Sequence, residues 1–249
     1  MRPTLFIVVL IAGCTAPKLS PRPMPVIDPP SVNPNLVIGT SVQGRPIELH
    51  QFGAGPRPVL VMAAIHGDEP TSAFVANALL DYLRQNPTPV PVAVIPVANP
   101  DGYASNTRTN SHQVDLNRNF PAGNWSARSN SHARKNFGGA ASASEPETAA
   151  LMQTIDQLKP RLIISIHSMD KPCNNYDGPA QGIAELMSKR NGYPATPTIG
   201  YATPGSLGSY AGIDRQIPMI TLELPRKLDG NACWSQNRDA ILEAIASAP

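Results

Sequence analysis

The chain has 249 residues, with 20 Lys or Arg against 18 Asp or Glu, so its formal net charge is only +2. This near balance gives no electrostatic basis for nucleic acid as the main partner. Hydrophobic residues make up 41% of the chain, a share typical of a globular protein that buries a single core. No internal repeat of roughly 20–50 residues is present, which excludes a solenoid.

The first 13 residues are typical of an export signal. Arg2 supplies a positive charge, and the apolar run over residues 5–13 is too short to span a bilayer comfortably. Ile11-Ala-Gly-Cys14 resembles a bacterial lipobox, in which the cysteine becomes the lipidated first residue of the mature protein. The alternative is an ordinary signal peptide with an incidental cysteine. Thr15 after the cysteine favours the outer membrane, by resemblance to enterobacterial sorting rules.

A Pro-rich segment separates this signal from the predicted folded domain. Residues 14–36 include Cys14 and show no apolar periodicity, which predicts an extended tether. The domain is expected to cover residues 37–249. Its two cysteines, Cys173 and Cys233, could pair in an oxidising compartment or remain as buried thiols, and the spacing leaves both possibilities open.

Predicted strands and helices alternate along this domain. In chain order they are a strand pair over Ile38–Ile47, a strand over Val59–Ile65, a helix starting at Glu69-Pro70, a strand over Val92–Val97, a helix from Ser144 to Leu158, a strand over Arg161–His167, a helix over Ala180–Asn191, a strand over Pro218–Leu224 and a helix over Asn237–Ser247. The polar stretch Asn99–Gly139 has neither period and is expected to be a functional or disordered loop. This alternation predicts a three-layer αβα sandwich with a mixed, largely parallel central sheet.

Two histidines lie at the ends of predicted strands, where open α/β sheets form their sites. His66 directly follows one strand and His167 ends another, while Glu69 lies three residues after His66 across a strand-to-helix turn. Zinc takes imidazole nitrogen and carboxylate oxygen, and a catalytic zinc site keeps one position for water. We therefore expect these three side chains to bind one Zn²⁺ per chain.

Other polar residues fit a hydrolase built around such a metal. Glu223 interrupts an apolar run, and a buried carboxylate is costly unless it is paired, hydrogen-bonded or near a metal, so we expect it to be the general base. Arg108 and the pair Asn117-Arg118 lie in the polar loop. Arginine can grip a terminal carboxylate through two hydrogen bonds, although each arginine taken alone fits a solvated loop charge equally well.

The order of these motifs resembles that of the zinc carboxypeptidases of the carboxypeptidase A clan. The shared residues are His66-x-x-Glu69, Asn99-Pro-Asp-Gly102, Arg108, Asn117-Arg118, Ser165-Ile-His-Ser168, Tyr201 and Glu223. The resemblance runs from about Val37 to the end of the chain. Longer phrases, Ile65–Glu69, Val114–Ala122, Ser144–Thr148 and Gly200–Ser206, are most similar to the murein peptide amidases within that clan.

The resemblance implies a role for each matching residue. His66, Glu69 and His167 would be the zinc ligands and Glu223 the base. Arg108 would polarise the scissile carbonyl and stabilise the oxyanion. Asn117 and Arg118 would hold the terminal carboxylate of the substrate, and Tyr201 would close over it.

The resemblance also implies the substrate, which is a murein peptide. Murein peptide amidases hydrolyse the amide bond between γ-D-Glu and meso-diaminopimelate in L-Ala-γ-D-Glu-meso-diaminopimelate. We name Asp170 as a candidate to bind the zwitterionic end of diaminopimelate. Gly208 and Ser209 predict a roomy leaving-side pocket that is not built for a basic or aromatic side chain. The protein is expected to be a monomer that contacts the membrane, on the periplasmic side, only through its lipid anchor.

Three alternatives remain at this point. The lipobox favours an envelope carboxypeptidase that trims stem peptides on the intact wall, because the familiar murein amidases act in the cytoplasm. A deacylase of the aspartoacylase or succinylglutamate desuccinylase type shares the His-x-x-Glu and Asn-Arg motifs. A lipid-anchored binding module that has lost catalysis belongs to another class, and zinc content discriminates it from an enzyme.

Overall fold

A mixed sheet organises the part of the chain that the computed structural model describes, residues 35–127 and 137–249. The predicted signal, Cys14 and almost all of the tether lie outside these residues. The strands are β1 (Leu36–Thr40), β2 (Pro46–Phe52), β3 (Val59–Ala63), β4 (Val92–Ile95), β5 (Leu162–Met169), β6 (Cys173–Asp177), β7 (Ala195–Thr196) and β8 (Met219–Pro225). Their order in the sheet is β1-β2-β4-β3-β5-β8-β6-β7.

The centre of the sheet is parallel and its flanks are mixed. β4, β3, β5 and β8 pair in parallel, whereas β2 joins β4 and β6 joins β8 in antiparallel fashion. The apolar runs that form β3 and β5 are buried almost throughout, as expected for strands covered on both faces. Because β3, β5 and β8 are adjacent and parallel, their carboxyl ends meet at one edge of the sheet.

Helices cover both faces of this sheet. They are α1 (Pro70–Gln85), α2 (Pro100–Ser105), α3 (Pro146–Leu158), α4 (Gln181–Asn191) and α5 (Gly230–Ala246). One apolar core packs α1, α4 and α5 against one face, and a second core packs α3 against the other. The predicted three-layer αβα sandwich with a mixed, largely parallel sheet is therefore confirmed. Within the described residues, no helix is both long and apolar enough to cross a membrane.

Several elements differ from the predicted ones. α5 begins at Gly230 rather than Asn237, because the Asp229 side chain caps it by accepting a hydrogen bond from the Ala232 amide. The polar loop contains the short helix α2, which starts at Pro100 and is capped by Asn99. β6 was not predicted at all, since its sequence Cys-Asn-Asn-Tyr-Asp lacks an apolar run.

Buried amides replace apolar contacts behind β6. Asn174 exchanges side-chain hydrogen bonds with Asn191 on α4, and Asn191 also donates to Asn237 on α5. Buried polar groups are tolerated when their hydrogen bonds are satisfied, and here they fix one strand against two helices. Tertiary partners that are remote in sequence thus determine this strand.

Cys173 on β6 and Cys233 on α5 are both buried and both free. Of the two possibilities that the sequence left open, the structure has the pair of buried thiols. Burial raises the pKa of the Cys173 thiol to about 11, so the reactive thiolate is scarce at neutral pH.

We predict that native protein reacts slowly with a thiol reagent and that unfolding exposes both thiols, because each is covered by the core. Reaction with a chromogenic disulfide, with and without denaturant, measures this. A variant with Ser at both positions is the control, since it should show no reaction at either residue. Absence of both thiols in denatured, unreduced protein would instead reveal a disulfide.

Candidate metal centre and catalytic cleft

A tight turn at the carboxyl end of β3 presents the first two candidate ligands. Ser72 in the first turn of α1 accepts a hydrogen bond from the Ala64 amide and donates one to the Glu69 carbonyl, both at 3.0 Å or less. Between the ligands, Gly67 packs so closely on the backbone of Gly102 in α2 that a β-carbon would collide with it. The turn therefore holds His66 and Glu69 on the same side.

Three buried side chains converge at this edge of the sheet. His66 Nδ1 lies 3.1 Å from Glu69 Oε1 and 3.2 Å from His167 Nδ1, and His167 Nδ1 lies 3.2 Å from Glu69 Oε2. The candidate ligand atoms all lie within 4.8 Å of one another. Two imidazole nitrogens and one carboxylate form the donor set that a catalytic zinc site uses.

Contacts behind the histidines orient their rings. His66 Nε2 lies 3.1 Å from Asp115 Oδ1, and His167 Nε2 lies 3.0 Å from Ser165 Oγ. An ionised carboxylate only accepts hydrogen bonds, so His66 Nε2 must donate and Nδ1 of the neutral ring keeps its lone pair. That lone pair faces the other two groups, so the residues present fit a metal cation.

Neighbouring imidazoles and Arg108 stabilise the negative charge of Glu69 within the cleft. Burial acts to raise the pKa of Glu69, but the two imidazoles beside it hold that pKa well below its usual range. Arg108 Nε donates to Asp115 Oδ2 at 2.9 Å, and its Nη1 lies 3.6 Å from Glu69 Oε1. Arg108 is thereby fixed at the edge of the ligand group, where an oxyanion would need stabilisation.

Asp115 is a functional residue that the sequence analysis did not single out. Besides His66 and Arg108, it accepts a hydrogen bond from the Asn117 amide at 3.0 Å, which caps the 3₁₀ turn Leu116–Arg118. One buried carboxylate therefore contacts a candidate ligand, Arg108 and the turn that carries Asn117 and Arg118. The sequence feature that could have identified Asp115 is its position in the motif Asp115-Leu-Asn-Arg118, two residues before the predicted substrate-binding pair, in a loop with no apolar pattern.

The register of the sheet places Glu223 beside the three candidate ligands. Glu223 on β8 pairs directly with His167 on β5, so the two side chains lie on the same face. The Glu223 carboxylate is buried and makes no hydrogen bond or ion pair with the described residues. Burial, partly opposed by His167, raises its pKa to about 7, which suits a general base acting near neutral pH.

The leaving side of the cleft contains an arginine that lacks a full set of partners. Arg118 is buried, its Nη1 donates to the Asn117 carbonyl at 2.6 Å, and its Nε has no partner among the described residues. Asn117 accepts a hydrogen bond from the Leu207 amide at 2.9 Å. Tyr201 stands at the rim, 58% exposed. A substrate carboxylate would complete the hydrogen bonding of Arg118.

All eight predicted catalytic, binding and metal residues line one open cleft of about 520 Å³, a volume that includes the solvent at its mouth. They are His66, Glu69, Arg108, Asn117, Arg118, His167, Tyr201 and Glu223. Asp170 is exposed and does not line the cleft. The structure therefore does not support Asp170 as a substrate residue.

The leaving-side pocket is charged, contrary to the expectation based on Gly208 and Ser209. Asp177, the last residue of β6, packs its carboxylate on Gly208 and lines the same cleft. The Asp177 carboxylate makes no hydrogen bond or ion pair with the described residues, and burial raises its pKa. The expectation was wrong because β6 was not predicted, so Asp177 could not be placed.

Comparisons with known proteins agree with this geometry. Residues 28–181 match the zinc carboxypeptidase family. The chain is 34% identical to murein peptide amidase A of Escherichia coli over 198 residues, covering 75% of this chain and 79% of the relative. It is also 34% identical to murein peptide amidase A of Vibrio campbellii over 224 residues, covering 85% and 87%.

Solved structures share the fold. The crystal structure of murein-tripeptide amidase MpaA from Escherichia coli superposes with a TM-score of 0.73 at 29% identity, covering 91% of this chain and 99% of that one. Carboxypeptidase A from Helicoverpa armigera gives a TM-score of 0.71 at 21% identity, covering 86% and 69%. The second likeness shows the fold alone.

We predict that Glu223→Gln stabilises the metal-free protein above pH 7 by about 3 kcal/mol, from the pKa difference. The protonated acid is the form that the fold favours. The protonated Glu223 side chain therefore contributes to the free energy of unfolding below the ordinary glutamate pKa, and this contribution is lost as the pH rises through about 7. Glutamine mimics the protonated acid at every pH. Urea unfolding in chelator at pH 5 and pH 8.5 measures the difference.

Glu185→Gln on the exposed side of α4 is the matched control, because it removes the same charge from a solvated site. Equal stability of Glu223→Gln and the parent protein at pH 8.5 would contradict the prediction. With zinc restored, Glu223→Gln should retain the metal but lose turnover.

Proposed function

Since the chain belongs to the zinc carboxypeptidase family of metallohydrolases, we propose that it hydrolyses the bond between γ-D-Glu and meso-diaminopimelate in murein peptides. The observation that carries this proposal is the pairing of charges on the leaving side of the cleft. Among the described residues, Arg118 Nε lacks an acceptor and the Asp177 carboxylate lacks a donor. A C-terminal residue with a terminal carboxylate and a distal ammonium satisfies both.

The residues of the chain divide the reaction between them. Zinc, which His66, Glu69 and His167 would hold, supplies Lewis-acid polarisation and a nucleophile at neutral pH. Glu223 takes a proton from the attacking water and returns it to the leaving nitrogen. Arg108 stabilises the charge that develops on the carbonyl oxygen, a contribution of about 3–4 kcal/mol in comparable sites.

Substrate orientation depends on the opposite end of the cleft. Asn117 and Arg118, which together form the carboxylate clamp, hold the terminal carboxylate next to the scissile amide, which fixes the leaving residue before reaction. Tyr201 at the rim covers the bound residue. These roles follow the family resemblance, and the shared cleft supports them.

Asp177 is the residue that favours diaminopimelate over a neutral leaving residue. On the common face of β6 and β8, Asn175 pairs with Thr221 and Asp177 pairs with Met219, four residues before Glu223. The strand rise places Asp177 roughly 13 Å along the strand from the base. A long side chain with a terminal ammonium reaches that depth from the clamp, whereas alanine does not.

A second candidate function is trimming of stem peptides on the intact wall. The cleft is open at its mouth, and the predicted lipid anchor would hold the protein in the envelope beside murein. The inactive binding module has no support, because the ligand set, the base and the oxyanion arginine meet in one site. Comparing free tripeptide with a disaccharide-linked muropeptide separates the two enzymatic roles.

We predict that the protein releases meso-diaminopimelate from L-Ala-γ-D-Glu-meso-diaminopimelate, and that Asp177→Asn lowers kcat/KM on it roughly 10–100-fold. Loss of one charge-assisted hydrogen bond, about 1.5–3 kcal/mol, gives this range. Chromatographic assay of the released amino acid provides kcat and KM. Asp170→Asn removes the same charge outside the cleft and should leave both constants unchanged.

Activity on N-acyl amino acids with none on the tripeptide would overturn the proposed function in favour of a deacylase. A tripeptidase whose kcat/KM does not respond to Asp177→Asn would keep the function and remove Asp177 from it. Faster cleavage of the disaccharide-linked substrate than of free tripeptide would assign the protein to wall trimming.

We further propose that residues 1–13 are removed on export and that lipidated Cys14 anchors the enzyme to the outer membrane, facing the periplasm. The support is the lipobox-like Ile11-Ala-Gly-Cys14 and the following Thr15. The Pro-rich tether would hold the cleft away from the lipid. Both segments lie outside the described residues.

We expect Cys14→Ser to move the protein from the detergent phase to the aqueous phase on phase separation of cell extracts. One lipid-modified residue is the sole membrane contact in this proposal, so its loss should release the whole chain. Cys173→Ser, at a buried thiol, is the matched control and should stay in the detergent phase. Unchanged partitioning of Cys14→Ser would refute the anchor.

A further inference from the structure

We infer that Arg226 is a specificity-determining residue that binds the α-carboxylate of the γ-linked glutamate, on the acyl side of the scissile bond. This inference rests on the proposed function and assigns a residue to the half of the substrate that the clamp does not touch. It also predicts that the enzyme prefers an acyl-side residue with a free carboxylate over one without it.

Arg226 stands immediately beyond β8, at the mouth of the cleft. It follows Glu223 by three residues, and its side chain is 47% exposed while it lines the same cleft as the base. Its amide donates to the Met169 carbonyl and its Nε donates to the Ser168 carbonyl at 3.1 Å. These two bonds hold the arginine against the end of β5.

The guanidinium of Arg226 has hydrogen-bonding capacity to spare. Among the described residues only Nε makes a hydrogen bond, and Nη2 forms an ion pair with Glu69 Oε1 at 3.7 Å, which is beyond hydrogen-bond distance. Because Nε is fixed and neither Nη group makes a hydrogen bond with the described residues, the planar fork is already oriented. Such a fork suits a carboxylate, which it can bind through parallel hydrogen bonds.

Its position relative to the clamp assigns Arg226 to the acyl side. Arg118 and Asp177 bound the leaving-side pocket, and Asp177 pairs with Met219 at the start of β8. Arg226 lies past the other end of that strand, with Glu223 between them. A peptide with its terminal residue in the pocket and its scissile carbonyl at Glu223 therefore runs out towards Arg226.

The chemistry of a γ-glutamyl linkage matches a cation at this place. In γ-D-Glu the scissile carbonyl belongs to the side chain, so the α-carboxylate is free and lies roughly 5 Å from the carbonyl carbon. An α-linked neutral residue has no negative charge there, so the guanidinium would favour a γ-linked glutamate over such a residue. The guanidinium close to Glu69 is within that span of the ligand group, so it can pair with the free α-carboxylate.

The test combines a substrate change with a variant. The substrates are L-Ala-γ-D-Glu-meso-diaminopimelate and its counterpart in which the α-carboxylate is a carboxamide of nearly the same shape. We expect the parent protein to prefer the carboxylate roughly 10–100-fold in kcat/KM, and Arg226→Met to remove that preference by slowing only the carboxylate substrate. Arg226→Lys should restore part of it.

Controls keep the roles of Arg226 apart. Lys227→Met removes the same charge from the next residue, which is exposed and does not line the cleft, and should keep the full preference. Zinc content is measured for every protein, since Arg226 also lies near Glu69. An effect through the metal slows both substrates equally, so equal slowing by Arg226→Met would overturn the inference.

The outcomes also separate this inference from the proposed function. If the parent protein cleaves neither peptide, the proposed function fails. If it cleaves both at the same rate, the function stands and the assignment of Arg226 is wrong.

Discussion

The structure depends on the convergence of three buried candidate metal ligands at one point, where Glu69 Oε2 also accepts a hydrogen bond from the Ser168 amide at 3.1 Å. His66 presents Nδ1 to this point because Asp115 occupies its Nε2, while Glu69 and His167 complete the group. Buried lone pairs in such contact are unfavourable unless a cation neutralises them. The parallel β3, β5 and β8 and the turn before α1 are what hold the three side chains together.

Charged side chains continue from this group of ligands along the cleft in both directions. Asp115 links the three candidate ligands to Arg108, and it links them to the clamp through the Asn117 amide. Beyond the clamp lies the Asp177 carboxylate, which has no partner among the described residues, and at the opposite end lies the guanidinium of Arg226. The cleft is therefore polarised along its length, with a carboxylate at the Asp177 end and a guanidinium at the Arg226 end.

The sequence predicted the fold class and the eight residues that share the cleft because these depend on local signals. Apolar runs marked β3 and β5, and polar residues at or inside such runs marked His66, His167 and Glu223. Polar partners that are remote in the chain left no such signal. β6 is stabilised by amides on α4 and α5, so neither the strand nor Asp177 could be found from periodicity. Asp115 was hidden for a similar reason, since its contacts are made only in the folded loop.

One structural detail constrains how the closed end of the cleft could change. Gly208 and Gly212 belong to a π-helical turn over Gly208–Asp214, and both press on Asp177 so closely that a β-carbon at either would collide with it. The Asp177 side chain therefore occupies space that exists only because positions 208 and 212 are glycines. At Gly212 a β-carbon would meet the backbone and β-carbon of residue 177, so divergence towards a different leaving residue should change the side chain at position 177 while Gly212 stays bare.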